Sequence, residues 1–546
     1  MPSTALVQSP SSRCEFGIAW TDITPPVGMY HRMWGAAAHD RSTGIHRPLR
    51  VTAVVMRPLD GGPRTVLVSL DHCLLRAPDM EALLCETCRR TGLSRSELLI
   101  TFSHTHSAGY LSRDRADCPG GELIGPYLDS LPSKIDQAFR AALANVQPAT
   151  LTYGSTTCEM GCQRDYFDDE RGHYVCGFNP DAAEPLPLNV VRVTTQTNPT
   201  PSRSHAPRGN VSVDALRPVG NPSLEIVTTD DDAERRDSRS HAERGNEMNP
   251  SLTNPSLTLR VSLVATIVNY PCHTTTLAWE NTLVSPDYVG ALREVVERET
   301  NAPCLFLLAP CGDIGPRDGY VGDTSVADRN GRQVGFAALS VLAGMNPVET
   351  DQVYLGPVYS GATLGNWRHQ PWDAARRAST SLAKHAALAV PLPYLASLPK
   401  LSEAEPLHLE LIAAEQAARD AGRLDEVATL RAKVERQRRL LDRIRPLPQG
   451  ETYPCPAWAW QWGDAFWVAV EGEPYHYFQS ELLRRFPNRP LIAITLGNGT
   501  NCSYLPTREA YSKTQLYQPE VALLAPGSLE TLTDAIGCQL AEWDRS

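Results

Sequence analysis

The residues with the plainest chemical potential are two histidines one position apart, in Ser103-His104-Thr105-His106-Ser107, directly after the apolar run Leu98-Leu99-Ile100-Thr101-Phe102. That run reads as a buried strand, which places the pair where the strand ends. Side chains alternate along a strand, so His104 and His106 are expected on one face for as long as the chain stays extended. Adjacent imidazoles serve metal ligation or proton transfer, and an H-x-H pair alone does not choose between them. Other apolar runs also end in polar side chains: 261–268 leads to His273, 304–308 to Asp313, 466–470 to Glu473, and 491–496 toward Tyr504. Open α/β sheets gather such strand exits in one crevice. Two histidines and a carboxylate make a zinc set that leaves a position for water; zinc so held brings the pKa of water to about 7 and polarises a carbonyl, as amide or ester hydrolysis requires. The chain contains no H-E-x-x-H, so it is not a zincin.

The elements that must position these residues follow from hydrophobic pattern. Residues 16–20, 49–56 and 65–70 read as strands, the last delivering Asp71-His72, and 78–90, 124–144, 287–299 and 528–543 read as helices. Strand and helix alternate, which points to an α/β protein. His31, His39, His46 and His72 lie near the first strands and are taken as ordinary polar residues lining a pocket. Asp313 has two readings, a cap for the following turn or a group that orients a ligand. Between 196 and 260 the character changes: Ser202-Arg203-Ser204-His205-Ala206 recurs as Ser238-Arg239-Ser240-His241-Ala242, and Asn-Pro-Ser-Leu occurs three times. Such polar repetition cannot bury enough apolar surface to offset its ordering entropy, so 196–260 reads as a disordered insertion. Residues 409–421 and 425–444 form a charged helical pair broken at Gly422, a hairpin inserted at 405–445. Its stripe of Leu424, Val427, Leu430, Val434 and Leu441 suits packing or a homo-oligomer contact.

Composition sets outer bounds. The chain has 546 residues, 42% hydrophobic and 21% charged, with a net charge of -11 and no basic block, so nucleic acid is not an expected partner. Residues 1–14 lack the order of a secretory signal, and no apolar stretch reaches the roughly 18 residues of a membrane span. A cytoplasmic location without a membrane anchor is expected. The 14 cysteines are scattered and read as reduced thiols. Cys85-Glu86-Thr87-Cys88 is a lone C-x-x-C with no second pair to complete a zinc site.

Taken together, the motifs resemble the neutral/alkaline non-lysosomal ceramidase family in its zinc-dependent catalytic domain. The resemblance runs in order through Asp22-Ile23-Thr24-Pro25, the 103–107 stretch, His273 with Asn281-Thr282-Leu283-Val284-Ser285-Pro286-Asp287, Cys311-Gly312-Asp313-Ile314-Gly315-Pro316, Gly472-Glu473-Pro474, and Tyr504-Leu505-Pro506-Thr507 followed by Tyr511 and Tyr517. It implies a mixed-sheet, multilayer α/β catalytic domain, discontinuous over 1–195 and 261–546, carrying the disordered insertion and the helical hairpin. It implies Zn2+ bound by His104, His273, Glu473 and Tyr504. His106 would face the substrate carbonyl, and Arg164 and Tyr517 fall where the family has an active-site arginine and a tyrosine near the scissile bond. The implied activity is hydrolysis of an amide (N-acyl) bond by a metal-activated water, on a small-molecule or lipid-like N-acyl substrate. Two departures matter: Gly315 replaces the family serine, and the C-terminal immunoglobulin-like domain of true ceramidases and a secretion signal are not expected. Zinc hydrolysis is therefore better supported than ceramide as substrate. The competing class is a metal-binding member without turnover, serving in binding or regulation; the presence of all four candidate ligands and His106 favours the enzyme.

Overall fold

A computed structural model describes residues 5–182, 184–197, 260–513 and 515–545. The parts of the chain before 197 and after 260 cluster as one unit. The reading of a disordered insertion falls on 198–259, which lies outside the described residues.

The unit is built on an eight-stranded sheet made of β1 (Ser11–Asp22), β2 (Arg50–Arg57), β3 (Thr65–Leu70), β4 (Leu98–Phe102), β5 (Gln147–Cys158), β6 (Leu186–Thr197), β7 (Arg260–Tyr270) and β8 (Cys304–Leu308). Its order is β8-β7-β6-β5-β1-β2-β3-β4. The pairs β3–β4 and β7–β8 are parallel, whereas β1–β2, β2–β3, β1–β5 and β5–β6 are antiparallel. A second sheet, β9 (Ala383–Pro393), β10 (Thr452–Trp462), β11 (Ala465–Val470) and β12 (Leu491–Ile494), is antiparallel except for the last, parallel pair. The architecture is thus a mixed-sheet α/β one, as expected.

Alternation along the strands fixes the layers. Odd-numbered β2 residues Val51, Ala53 and Val55, with Val66 and Val68 of β3 and Ile100 of β4, join one core with Leu83 of α1 (Asp79–Thr91), Leu131 and Ile135 of α2 (Ile124–Ala144) and Leu292 of α3 (Tyr288–Thr300). Their neighbours Val54, Leu67 and Leu99 point the other way and meet Trp460, Trp467 and Ile492 of the second sheet. The second sheet's far face, with Phe466 and Val468, packs on Leu532 and Ile536 of the Ser528–Asp544 helix. The order is helices, sheet, sheet, helices, each buried face covered by the next layer. The helix following α3, α4 (Thr324–Gly344), carries Gly331 where a Cβ would lie 2.2 Å from the Tyr288 carbonyl, so the two helices touch through a bare backbone.

The large sheet curls until its two edges approach. Ser69 Oγ of β3 donates to the Phe306 carbonyl of β8 at 3.3 Å. Thr495, just beyond β12, closes the seam between the edges. Its N–H donates to Leu308 O (3.1 Å), its carbonyl accepts from Thr101 Oγ1 (2.7 Å), and its own Oγ1 donates to Gly472 O (2.6 Å). One buried residue therefore holds the exits of β4 and β8 against the segment that carries Glu473.

The helical hairpin is present, but its first helix starts earlier than expected. It runs over Leu401–Asp420 (α5), straight through Pro406, with the Glu403 carboxylate accepting from the Lys400 N–H at 3.3 Å. The second helix is α6 (Leu424–Ile444). Of the stripe, Leu441 is buried, Val427, Leu430 and Val434 are partly buried, and Leu424 at the tip is 78% exposed. No helix among the described residues is long and apolar enough to cross a membrane.

Replacing Thr495 by valine nearly keeps the volume but strands one buried hydrogen-bond partner, the Gly472 carbonyl. Stability is expected to fall by about 1–3 kcal/mol, read as a lower urea midpoint at an unchanged denaturant slope.

Candidate metal centre

After β4 the chain continues beside the exit of β3, with the Ser103 N–H donating to Leu70 O and the His104 N–H to His72 O, both at 2.9 Å. At His104 the backbone turns into the left-handed region, with φ of 66°. A non-glycine residue held there costs about 1–3 kcal/mol, which the surrounding hydrogen bonds must sustain. The extended conformation therefore stops at the first histidine, and the expectation that the strand pleat keeps both histidines on one face is corrected. A turn brings them together instead, with ring centroids 4.9 Å apart and planes at 86°. Thr105 Oγ1 donates to Ser285 O (2.7 Å), and Ser285 N–H donates back to Ser107 O (2.9 Å). The 281–287 block is the clamp on this turn. Within it Asp287, itself at φ 55°, accepts from the N–H groups of Tyr288 and Leu277.

His104 and His273 come from opposite edges of the curled sheet and meet over Glu473. His104 Nδ1 donates to Cys73 O at 2.7 Å, and His273 Nδ1 to Cys311 O at 2.7 Å. With both Nδ1 protons committed to carbonyls, the Nε2 atoms are the ones left to take a cation or a proton. They point at one oxygen: Glu473 Oε2 lies 3.2 Å from His104 Nε2 and 3.3 Å from His273 Nε2. The Tyr504 hydroxyl is 3.2 Å from His273 Nε2, and the short parallel ladder Glu473–Pro474 with Tyr504–Leu505 sets both side chains side by side. All of these residues are buried. Gly312 permits this closeness, because a Cβ there would stand 2.6 Å from the Glu473 carbonyl.

The electrostatics reflect three electron-rich atoms facing one another in a dry site. Burial opposes a charge on His104, yet Cys73 and Glu473 beside it hold its pKa well above that of an ordinary histidine. Burial likewise opposes the Glu473 carboxylate, but the two imidazoles hold its pKa well below the usual range. Burial and the Arg164 guanidinium push His273 down to about 3, so it is neutral. The donor set fits a divalent cation: two imidazole nitrogens, a carboxylate and a phenol oxygen converge, and each imidazole is oriented by a carbonyl behind it. Cys73 and His106 lie within reach of His104 but outside the His104–His273–Glu473 group. A separate trio, Cys455, Glu471 and Cys502, is close enough to hold an ion, but Glu471 already accepts from the Tyr453 hydroxyl and the Asn501 N–H.

A cavity of about 380 Å³ opens over this cluster. His104, His106, Arg164, Glu473, Tyr504 and Tyr517 line it, and His273 sits behind its wall. His106 stacks obliquely near Trp34, with centroids 5.2 Å apart, and its Nε2 has no hydrogen-bond partner among the described residues. Burial and the neighbouring His104 and His273 keep its pKa well below normal, so it is neutral. Arg164 Nη2 donates to Gly312 O (2.6 Å) and to the Tyr504 hydroxyl (3.3 Å). Tyr517 is 47% exposed at the rim, its ring 5.9 Å from that of Tyr504.

Several smaller expectations change. His31, His39, His46 and His72 do not line the cavity; His31 pairs with His39 at 3.0 Å and His46 with Ser285 Oγ at 2.9 Å, as structural contacts. Asp313 neither caps its own turn nor orients an imidazole. It accepts from the His476 N–H (2.7 Å) and from Gln163 Nε2 (3.0 Å), tying the Arg164 segment to the chain just past Glu473. A Cβ at Gly315 would meet Arg164 and Tyr320 only at ordinary contact distances, so nothing in the packing demands glycine there. The sequence reading missed Trp34, Arg76, Tyr320, Arg439 and Arg443 in the cavity wall. No motif marks them, although arginines at i and i+4 beside the buried Leu441 and Ile444 were a signal that part of α6 faces inward.

No family model matches the sequence, and no curated protein matches it. Solved structures do. The chain is similar to the neutral ceramidase of Pseudomonas aeruginosa at 14% identity and a TM-score of 0.52, over 97% of this chain and 74% of that one. It is similar to a ceramidase complexed with C2 at 15% identity and a TM-score of 0.53, with the same coverage. The fold is of neutral ceramidase type, as the ordered motifs implied.

Metal analysis after dialysis is expected to find one divalent cation per chain. H273A and E473Q are each expected to weaken its binding by at least ~100-fold. Its affinity is expected to fall as pH falls, because the proton that His104 holds at its raised pKa must leave before the ion binds.

Proposed function

We propose that the chain is a zinc-dependent hydrolase that cleaves an amide (N-acyl) bond. The observation that carries this reading is the convergence of His104 Nε2 and His273 Nε2 on Glu473, with the Tyr504 hydroxyl 3.2 Å from His273 Nε2, in a cavity whose wall holds His106. The likeness in fold to neutral ceramidases supports the same chemistry. Zn2+ held by His104, His273, Glu473 and Tyr504 would bring the pKa of a water to about 7 and polarise an acyl carbonyl.

The remaining roles belong to the protein's own groups. Arg164, against the Tyr504 hydroxyl, favours the phenolate form that makes a better ligand, working against burial and Glu473, which raise the pKa of that phenol. His106, neutral and facing the cavity, serves as the donor to the carbonyl oxygen as negative charge builds on it. In the overall reaction the acyl C–N bond breaks, the hydroxyl of water joins the acyl carbon and a proton passes to the leaving nitrogen. That proton originates on the attacking water, and Tyr517 at the cavity rim would relay it. Trp34, Trp279 and Tyr320 give the cavity apolar walls that exclude water from the reacting bond.

A panel of N-acyl amides, esters and phosphoesters incubated with the zinc-loaded chain tests this. Turnover on amides is expected, with none in H104A. H106Q should keep its zinc and lose about 100- to 1,000-fold in kcat, the range for one oxyanion donor. Stoichiometric zinc with no turnover on any member of the panel would instead identify a metal-binding protein without catalysis.

A further inference from the structure

The wall opposite the metal cluster is cationic. Arg76 enters it from the loop after β3, and Arg439 and Arg443, one turn apart on α6, enter it from the hairpin. The nearby acids are already matched. Glu435 pairs with Arg439 (2.8 Å) and Arg115 (3.4 Å), and Asp442 pairs with Arg115 (3.0 Å). Glu471, whose charge Arg76 favours, accepts from Tyr453 and Asn501, and Glu473 is committed to the two imidazoles.

Arg76 and Arg443 make no ion pair with a carboxylate among the described residues. Arg76 donates only to Thr500 O, at 2.9 Å, among the described residues. Arg443 is 9% exposed, its Nε has no hydrogen-bond partner, and it makes no ion pair among the described residues. Burial first, then Arg76 nearby, push its pKa down to about 10, so it remains charged at neutral pH. A buried guanidinium with open donors is costly unless something pairs with it. The fork of a guanidinium matches planar or tetrahedral oxyanions.

Resting on the hydrolase reading above, we propose that the substrate is an N-acyl compound carrying an oxyanion, a carboxylate or a phosphate, which Arg443 and Arg76 bind in the wall of the metal cavity. A neutral lipid amide offers these two groups acceptors but no charge to pair with them. The apolar side of the cavity, with Trp34 and Trp279, takes the uncharged remainder of the molecule.

The test uses the zinc-loaded full chain and three compounds that share one acyl group: N-butanoylglycine, its neutral counterpart N-butanoylglycinamide, and N-butanoyl-phosphoethanolamine. One or both anionic compounds are expected to exceed the neutral one in kcat/KM by roughly 10- to 100-fold, the span of a charge-assisted hydrogen bond. The larger of the two names the group. The ratio is expected to collapse toward one in R443Q, and in R76Q should R443Q fail to fold. Equal kcat/KM for all three compounds overturns the proposal, as does an anion preference that survives both substitutions, since the metal would then be its source. If none of the three is hydrolysed, calorimetric binding of the same compounds decides. Tighter binding of an anionic member, lost in R443Q, upholds the oxyanion site, and the hydrolase reading is then decided by the wider panel; equal binding overturns the oxyanion site.

Discussion

Two imidazoles that have both spent their Nδ1 protons on backbone carbonyls aim their Nε2 atoms at one buried carboxylate. That arrangement is repulsive unless a positive charge sits among them, and much of the surrounding structure exists to hold it in place. The carbonyls of Cys73 and Cys311 fix the rings, and the short ladder under Glu473 and Tyr504 fixes the acid and the phenol. Burial raises the stakes, because low polarity strengthens both the repulsion and its relief by a cation. The His104 turn shows the same economy of position: a side chain in the left-handed region is tolerated because hydrogen bonds on both sides leave it no alternative.

The fold supplies this convergence by curvature rather than by adjacency. The strands that end near His104 and His273 are at or next to opposite edges of the large sheet, and only its curl brings those edges together, with Thr495 of the second sheet seated in the seam. The metal cluster is therefore a joint between layers, and its geometry depends on how the two sheets pack.

Sequence reading succeeded where burial is continuous. Strands β3, β4 and β8 lie between two apolar layers, so both of their faces are buried and they stand out as unbroken apolar runs. It was blind where long-range pairing overrides local preference. Ala383–Pro393 is rich in alanine and has Lys384 and His385 near its start, and only its full-length pairing with Thr452–Trp462 makes it a strand. The α4 helix was missed because glycines weaken its pattern, and those glycines are needed for contact with α3. Within the site, residues at strand exits were legible from motif order. The pleat argument for His104 and His106 failed because a single backbone angle reverses direction, which no periodicity records. Arg439 and Arg443 carry no motif, and their inward turn depends on where the hairpin docks.

That docking has an evolutionary consequence. The hairpin is an excursion between two strands of the second sheet, anchored at its base by Ala404, Leu441 and Ile444 while its tip at Leu424 stands in solvent. The centre beneath it belongs to the sheets. Mutations along one face of α6 can thus reshape what the cavity admits without disturbing the groups that hold the cation, so selectivity and chemistry are free to diverge at different rates within one lineage.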